Sequence, residues 1–494
     1  MTVVVDARED FTLEAFRRVS VDRENVLIGP AALRVMGEAR AGFEHLLRSN
    51  PNGFIYGVTT RSGVEVGTAV PPEEQRSYAL RFRGTGRGFG RDALDERVVR
   101  GIVFARLADF VGGHAKVRPE LAQRVAALLD GPLPRVPLDG QAGAGEILPL
   151  MHVMAAVDAD LVEGEGMALI NGSPCATALA TDVALHAGHR LGLAEAIFAL
   201  SIEAFRAPLD AYDQALDDLR GDEAERTVLR HLRGHLNGTA IPGRLARQAP
   251  VSYRILPQVL GQAQRAVRAV VHAATTALGS VTENPVYLPA TDGHPCGRVL
   301  STGGFHNGAA APAIDWLTAA WADLALVAQR QVTAMHGATS GLPHLLAPAG
   351  FIAGAAGGAT NLFGWVATGL VEEARALAAP TLLPASINDT QNDIASPTFG
   401  AYRSQHRAAE CLDGVLAILA LVSSQALFVT GRHPAPPLAG LLNGVRSVFP
   451  PVETDRAGQG PQAGELADIL GRAALTGQLD FTGHPAQAGS PASP

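Results

Sequence analysis

The stretch Val136-Pro-Leu-Asp-Gly-Gln-Ala-Gly-Ala-Gly-Glu-Ile-Leu-Pro-Leu-Met-His152 decides how the rest of this chain is read. Three glycines, Gly140, Gly143 and Gly145, run directly into an apolar segment with Pro149 near its start. Glycine opens backbone conformations that a Cβ forbids and lets a ligand come close to the main chain. A proline suits the first turn of a helix, and the free N–H groups of a helix N-terminus attract acceptor groups. The stretch therefore predicts a backbone-lined pocket wall that feeds a helix.

Outward from that loop, composition sets the frame. In 494 residues, hydrophobic side chains make up 47% and aromatic ones 5%, the bulk being Ala, Leu, Val and Gly. Such a mixture suits closely packed helices better than a β-sandwich. A formal charge of −8 supplies no basic excess to neutralise phosphates, so nucleic acid is not an expected partner. Cys175, Cys296 and Cys411 lie far apart without C-x-x-C spacing, which excludes a disulfide framework or zinc motif and fits a reducing cytoplasm. The longest apolar run, Val415 to Val429, is broken by Ser423, Ser424 and Gln425 and is short for a bilayer, so it predicts a buried helix and no membrane partner. His231 and His235 are four apart, but Leu232 stands where a zinc-protease motif needs its glutamate. No metal site is expected.

The order of segments gives a mainly α chain. Residues 1–205 read as a mixed N-terminal domain, 206–433 as a long-helix bundle, and 434–494 as a Pro/Gly-rich tail with one short helix around 463–475. The last dozen residues have the composition of a disordered tail. Helical patterns occupy 175–190, 256–279, 312–336, 359–379 and 407–429; in 312–336, Ile314, Leu317, Trp321, Leu324, Ala328, Val332 and Met335 recur at steps of three or four. The Gly-rich run Arg81-Phe-Arg-Gly-Thr-Gly-Arg-Gly-Phe-Gly90 fails the dinucleotide register, because Phe89 follows where the third glycine belongs.

Several separated stretches resemble the histidine/phenylalanine ammonia-lyase and aminomutase family. Tyr56-Gly-Val-Thr-Thr-Arg-Ser-Gly63 is similar to its Y-G-V-N-T-G-F-G, and the opening loop to its G-S-V-G-A-S-G-D-L-A-P-L-x-H. Leu169-Ile-Asn-Gly-Ser173, Val251-Ser-Tyr-Arg-Ile-Leu-Pro-Gln-Val259, Val281-Thr-Glu-Asn-Pro285 and Thr302-Gly-Gly-Phe-His306 follow in family order. Gln391-Asn-Asp393 and Phe449-Pro-Pro-Val-Glu-Thr-Asp455 extend the match. The resemblance implies an ammonia-lyase-like helix bundle, a small-molecule substrate, and a homotetramer whose active sites draw on several subunits.

It would also imply a methylidene-imidazolone electrophile, made when the Gly nitrogen of Ala-Ser-Gly attacks the Ala carbonyl and the Ser side chain dehydrates. Here the loop reads Gly143-Ala144-Gly145-Glu146, one residue shorter than G-A-S-G-D. Neither Ala144 nor Gly145 carries a leaving group at a β-carbon, and no Ser or Cys occurs between Ser77 and Ser173. The expectation is a family member without this prosthetic group and with no other cofactor.

By the same resemblance, Tyr56 matches the catalytic base, while Asn171 and Arg254 match residues that contact the electrophile or a substrate carboxylate. Phe305 would wall the pocket, with Gly143, Ala144, Gly145 and Asn392 beside it. A phenol can carry a proton, and an amide and a guanidinium can hold a carboxylate or an enolate oxygen. The departures point elsewhere: the family's Asn is Thr59, its two pocket tyrosines align with His114 and Val251, and a glutamine aligns with Leu256. Arg61, Arg83 and His114 would then make the pocket cationic; the rival reading has Arg81, Arg83, Arg87 and Arg91 as a solvated face. Three functions follow. The first is electrophile-free proton-transfer chemistry (non-ammonia elimination, isomerisation or enolate cyclisation) in specialised metabolism. The second is a non-catalytic binding module or partner subunit, and the third an ordinary ammonia-lyase or aminomutase.

Overall fold

The computed structural model describes residues 2–82, 86–245, 248–337, 340–351, 359–386, 391–454 and 458–481. The chain divides into two compact units, each assembled from three segments: Met1–Leu185, Val270–Ile314 and Pro380–Arg403 in the first, His186–Ala269, Asp315–Ala379 and Ser404–Pro494 in the second. The fold is mainly α, and each pairing of named strands among the described residues is a two-stranded ribbon.

In the first unit, Thr2–Val5 pairs in parallel with Asn25–Ile28, in the register Val3↔Val26 and Val5↔Ile28. Both strands alternate exposed and buried residues, so one face meets the core. Asp6 then fixes the entry to helix Pro30–Ser49: its Oδ1 accepts from Ala31 N at 2.7 Å and Ala32 N at 3.0 Å, supplying an N-cap that Gly29 lacks. Helix Glu96–Val111 is buried on nearly every side, and Phe104 packs between Phe11 and Phe16. Its Arg100 is buried too, with the guanidinium donating to the carbonyls of Val19, Leu129 and Glu24. Strand Phe89–Ala93, which begins inside the Gly-rich Arg81–Gly90 run, pairs antiparallel with Pro137–Asp139, which leads into the opening loop.

The long helices are Pro174–Phe205, Leu256–Leu278, Ala310–His336 and Thr398–Val429, with Phe363–Leu377 and Gln459–Thr476 shorter. The sequence periodicity places all six, although the first runs 15 residues past Arg190 and the fourth begins nine residues before Arg407. Ala310–His336 and Thr398–Val429 are long and apolar enough to cross a membrane by length and composition, yet 67% and 83% of their apolar windows are buried inside the fold. The polar break in the second of these has a structural use. Gln425 donates to the carbonyls of Leu346 and Val452 and accepts from Val452 N, pinning two loops of the second unit to one side chain. The tail from residue 483 lies outside the described residues.

Candidate active site

The opening loop makes two successive left-handed turns of backbone. Gly145 has φ +65° and Glu146 φ +52°. A Cβ on Gly145 would stand 3.1 Å from Phe305 Cβ, so that ring packs directly on the glycine. Gly143 (φ +136°) offers its carbonyl to Ser396 N at 3.1 Å, and helix Ile147–Met154 starts immediately after Glu146. Residues 139–152 equal the family pattern in length, so the one-residue deletion expected from the sequence does not exist. Ala144 itself occupies the serine position. Its side chain is a methyl group, which cannot leave, so this triad does not fit the methylidene-imidazolone.

Glu146 is the residue that ties the loop down. It is 4% exposed; Oε2 accepts from Ala176 N at 2.6 Å, and Oε1 accepts from Ser396 Oγ at 2.7 Å. It thereby caps helix Pro174–Phe205 from outside that helix. Burial pushes its carboxyl up to about 7, against the pull of the Ser396 and Ala176 hydrogen bonds. Burial also raises the neighbouring Cys175 thiol well above its usual range.

Beside the loop, the first unit encloses a cavity of about 240 Å³. Ala144, Ile147 and Phe305 line it together with Tyr56 and Asn171 from separate segments. Asn284, Ser301 and Thr302 join the lining from one further stretch of chain, and Gln391 and Asn392 from another. The structure thus brings together Tyr56, Ala144, Asn171, Phe305 and Asn392 of the expected set. It adds Gln391 and Asn284, which sequence reasoning missed although both lie inside the quoted Gln391-Asn-Asp393 and Val281-Thr-Glu-Asn-Pro285 motifs.

Tyr56 is 9% exposed, and its Oη accepts from Gly63 N at 3.1 Å and from Gln391 Nε2 at 3.0 Å. The turn that presents it needs Gly57 at φ +68°, where a Cβ would come within 2.5 Å of Met167 Cε. Asn171 ends helix Glu165–Ile170; its Oδ1 accepts from Gly172 N at 2.8 Å and its Nδ2 donates to Met167 Sδ at 3.3 Å. Asn284 Oδ1 accepts from Thr302 N at 2.8 Å and from Ser301 Oγ at 3.4 Å.

Behind these amides lies a buried charge cluster. Arg106 donates to the Asn171 carbonyl, to Asp109, and to Glu283 Oε2 at 3.0 Å. Lys116 Nζ donates to the Pro285 carbonyl at 2.7 Å and sits 3.8 Å from Glu283 Oε1. Arg106, Lys116 and Glu283 are fully buried. Burial raises Glu283 to about 8 and lowers Lys116 to about 8, while Lys116 and Arg106 pull Glu283 back down. The cluster braces the backbone on both sides of the cavity, at Asn171 and at Asn284-Pro285.

The expected cationic lining is corrected. Arg61 pairs with Glu65 at 2.9 Å, four residues along the same turn. The His114 ring meets the Tyr287 carbonyl through Nδ1 at 3.0 Å. Neither lines the cavity. Arg83 lies outside the described residues. Arg81, Arg87 and Arg91 are exposed, Arg81 stacking on Tyr78 at 6.0 Å, as the solvated-face reading has it. The glycines of that run rest instead on the opening loop's helix: Gly88 N donates to His152 Nε2 at 3.0 Å.

Arg254 belongs to the second unit, on the short helix Val251–Arg254, and its Nε donates to the Ala249 carbonyl at 3.0 Å. That unit holds a larger groove of about 490 Å³ beside Val251, Ile255, Leu326 and Val327, with Arg330 as its charged residue. It is mostly apolar, whereas polar groups converge in the first unit's cavity. His231 bonds Glu195 at 2.9 Å rather than a second histidine, and no metal-binding group of His, Cys, Asp and Glu occurs among the described residues.

Comparisons with known proteins agree with this architecture. The aromatic amino acid lyase family model matches residues 11–159 and 158–447. A histidine ammonia-lyase of Geobacillus thermodenitrificans is 29% identical, over 92% of this chain and 94% of that protein. One from Symbiobacterium thermophilum is 28% identical over 97% and 99%. Among solved structures, tyrosine aminomutase from Streptomyces globisporus superposes with a TM-score of 0.84 at 25% identity, covering 96% of this chain and 98% of that one. Ergothionase from Treponema denticola gives 0.86 at 18% identity, a likeness of fold alone. The chain belongs to the aromatic amino acid lyase family.

Proposed function

We propose that this chain is an enzyme of the family that works without the methylidene-imidazolone electrophile. In this reading Tyr56 moves a proton on a carbonyl-bearing small molecule, leading to non-ammonia elimination, double-bond isomerisation or cyclisation through an enolate. The observation that carries the proposal is selective loss: Ala144 removes the leaving group, while Tyr56 and Asn171 still meet in one cavity with Ala144 in its lining. Without the electrophile there is no means of making an unactivated amino group leave. A proton already acidified by a neighbouring carbonyl needs no such help.

The geometry suits that chemistry. Tyr56 Oη keeps its bonds from Gly63 N and Gln391 Nε2 with or without its own proton, so one oxygen can take a proton and return it. The amide N–H groups of Asn171 and Asn284 are neutral donors, preorganised for an oxygen on which negative charge develops. We further propose a cytoplasmic homotetramer. Three free cysteines fit a reducing compartment, and the apolar residues exposed along helix Phe363–Leu377, with Trp365 79% exposed, suit burial against other copies.

The test is deuterium exchange at the α-carbon of phenylacetone in D₂O, followed by proton NMR. The native protein should accelerate exchange, and Tyr56→Phe should lower the rate on the order of 10²-fold. An unchanged rate in Tyr56→Phe would remove the proposed role.

A further inference from the structure

Behind the cavity, one short turn grips one of its walls. Helix Glu96–Val111 ends at Gly112, and the chain reverses through Gly113 and Lys116, with Lys116 N donating to the Gly113 carbonyl at 3.0 Å. Hydrogen bonds from this turn hold residues 285–287. Lys116 Nζ donates to the Pro285 carbonyl at 2.7 Å, Tyr287 N donates to the His114 carbonyl at 2.9 Å, and the His114 ring meets the Tyr287 carbonyl at 3.0 Å. A carbonyl only accepts, so His114 Nδ1 carries the ring proton in the last of these.

The gripped residues lead straight to the site. Asn284, which lines the cavity, precedes Pro285. Strand Val286–Leu288 pairs antiparallel with Arg298–Leu300, in the register Val286↔Leu300, and Ser301 and Thr302 follow as lining residues. Asn284 Oδ1 ties the two ends of this ribbon together by accepting from Thr302 N at 2.8 Å.

Lys116 bears two costs where it stands. Its φ of +56° lies in the left-handed region that favours glycine. Its side chain is fully buried, and a buried ammonium must give up its water. Glu283 offsets the charge from 3.8 Å, through an Oε1 that accepts no hydrogen bond. A pair made for charge alone would close to hydrogen-bond distance, whereas this ammonium spends its short bond on the Pro285 carbonyl. Neither side chain has exposed surface in a single chain, so another copy cannot add to their contacts.

From this we infer that Lys116 is a positioning residue for the proton transfer proposed above, holding Asn284 in the cavity wall through Pro285. The inference rests on that reading of the cavity, but the placement of Asn284 can be measured without any reaction.

Two variants of the full chain separate placement from charge balance. Lys116→Met and Glu283→Gln each break the buried pair, but only Lys116→Met removes the bond to Pro285, because an amine donates with or without its extra proton. Hydrogen–deuterium exchange mass spectrometry then reads the Thr302 amide, whose acceptor is Asn284. Thr302 should exchange at least about ten-fold faster in Lys116→Met than in Glu283→Gln. Deuterium uptake by phenylacetone should be about ten-fold slower in Lys116→Met than in Glu283→Gln. Equal Thr302 rates in the two variants would overturn the inference, since Lys116 would then serve charge balance alone. Faster Thr302 exchange with equal phenylacetone rates would overturn it too, by confining Lys116 to the fold. If Lys116→Met fails to fold, the double variant Lys116→Met/Glu283→Gln removes both charges and keeps the comparison with Glu283→Gln. A native chain that leaves phenylacetone unexchanged would remove the proposed function, while the Thr302 comparison would still decide whether Lys116 places Asn284.

Discussion

Glu146 shows how much one side chain can decide. It sits in left-handed backbone, is almost wholly buried, and still receives hydrogen bonds from Ala176 N and Ser396 Oγ. Burial wins over those bonds and places its carboxyl at about 7. The folded value lies above that of the unfolded chain, so its stabilising contribution is complete below about pH 4.5 and is lost as pH rises through 7. Across that window the linkage amounts to at most about 3 kcal/mol. Glu146→Gln keeps the shape and removes the titration. Urea denaturation of both proteins at pH 5 and pH 8 should therefore show the native chain losing more stability than the variant between the two. Parallel losses would mean that Glu146 stays ionised throughout. In the sequence this residue passes for an ordinary acidic position in the loop, because its burial depends on Ala176 and Ser396 from remote segments.

Among elements, the segments that meet around Arg106 matter most for the site. Helix Glu96–Val111 supplies Arg106 and Asp109, the Val281–Pro285 segment supplies Glu283 and receives the Lys116 bond, and the carbonyl of Asn171 completes the set. Thr282 joins them, since its N and Oγ1 both donate to Asp109. Removing one partner from a buried charge cluster leaves the others uncompensated, which costs about 3–5 kcal/mol. Arg106→Met should lower urea-denaturation stability by about that much. A loss below about 1 kcal/mol would mean that the carboxyl groups are neutral in the native chain and need no cation. The elements themselves were legible in the sequence where apolar spacing was regular, as in Ala310–His336 and Leu256–Leu278. The pairing of Phe89–Ala93 with Pro137–Asp139 was not. The strands are only Phe-Gly-Arg-Asp-Ala and Pro-Leu-Asp, so neither carries the alternation that announces a ribbon.

At the scale of the whole molecule, family membership rests on motifs in a fixed order along most of the chain, and the structure gathers several of them into one cavity. Tyr56, Asn171 and Phe305 were legible from the resemblance because each stands inside a quoted motif. The cationic pocket was not, because charge in a sequence does not say where a side chain spends it. Arg61 spends its charge on Glu65, and His114 gives its ring nitrogen to Tyr287. In the function proposed above, what the family frame does not carry over is the reactive group: Ala144 keeps the loop's length and puts a methyl group where the family pattern has its serine.

The intact mass of the purified native protein tests that central point most directly. Forming a methylidene-imidazolone expels two molecules of water, one on ring closure and one from the side chain. The account predicts a mass equal to that of the unmodified sequence. A mass lower by two waters would contradict it and return the chain to ordinary ammonia-lyase or aminomutase chemistry.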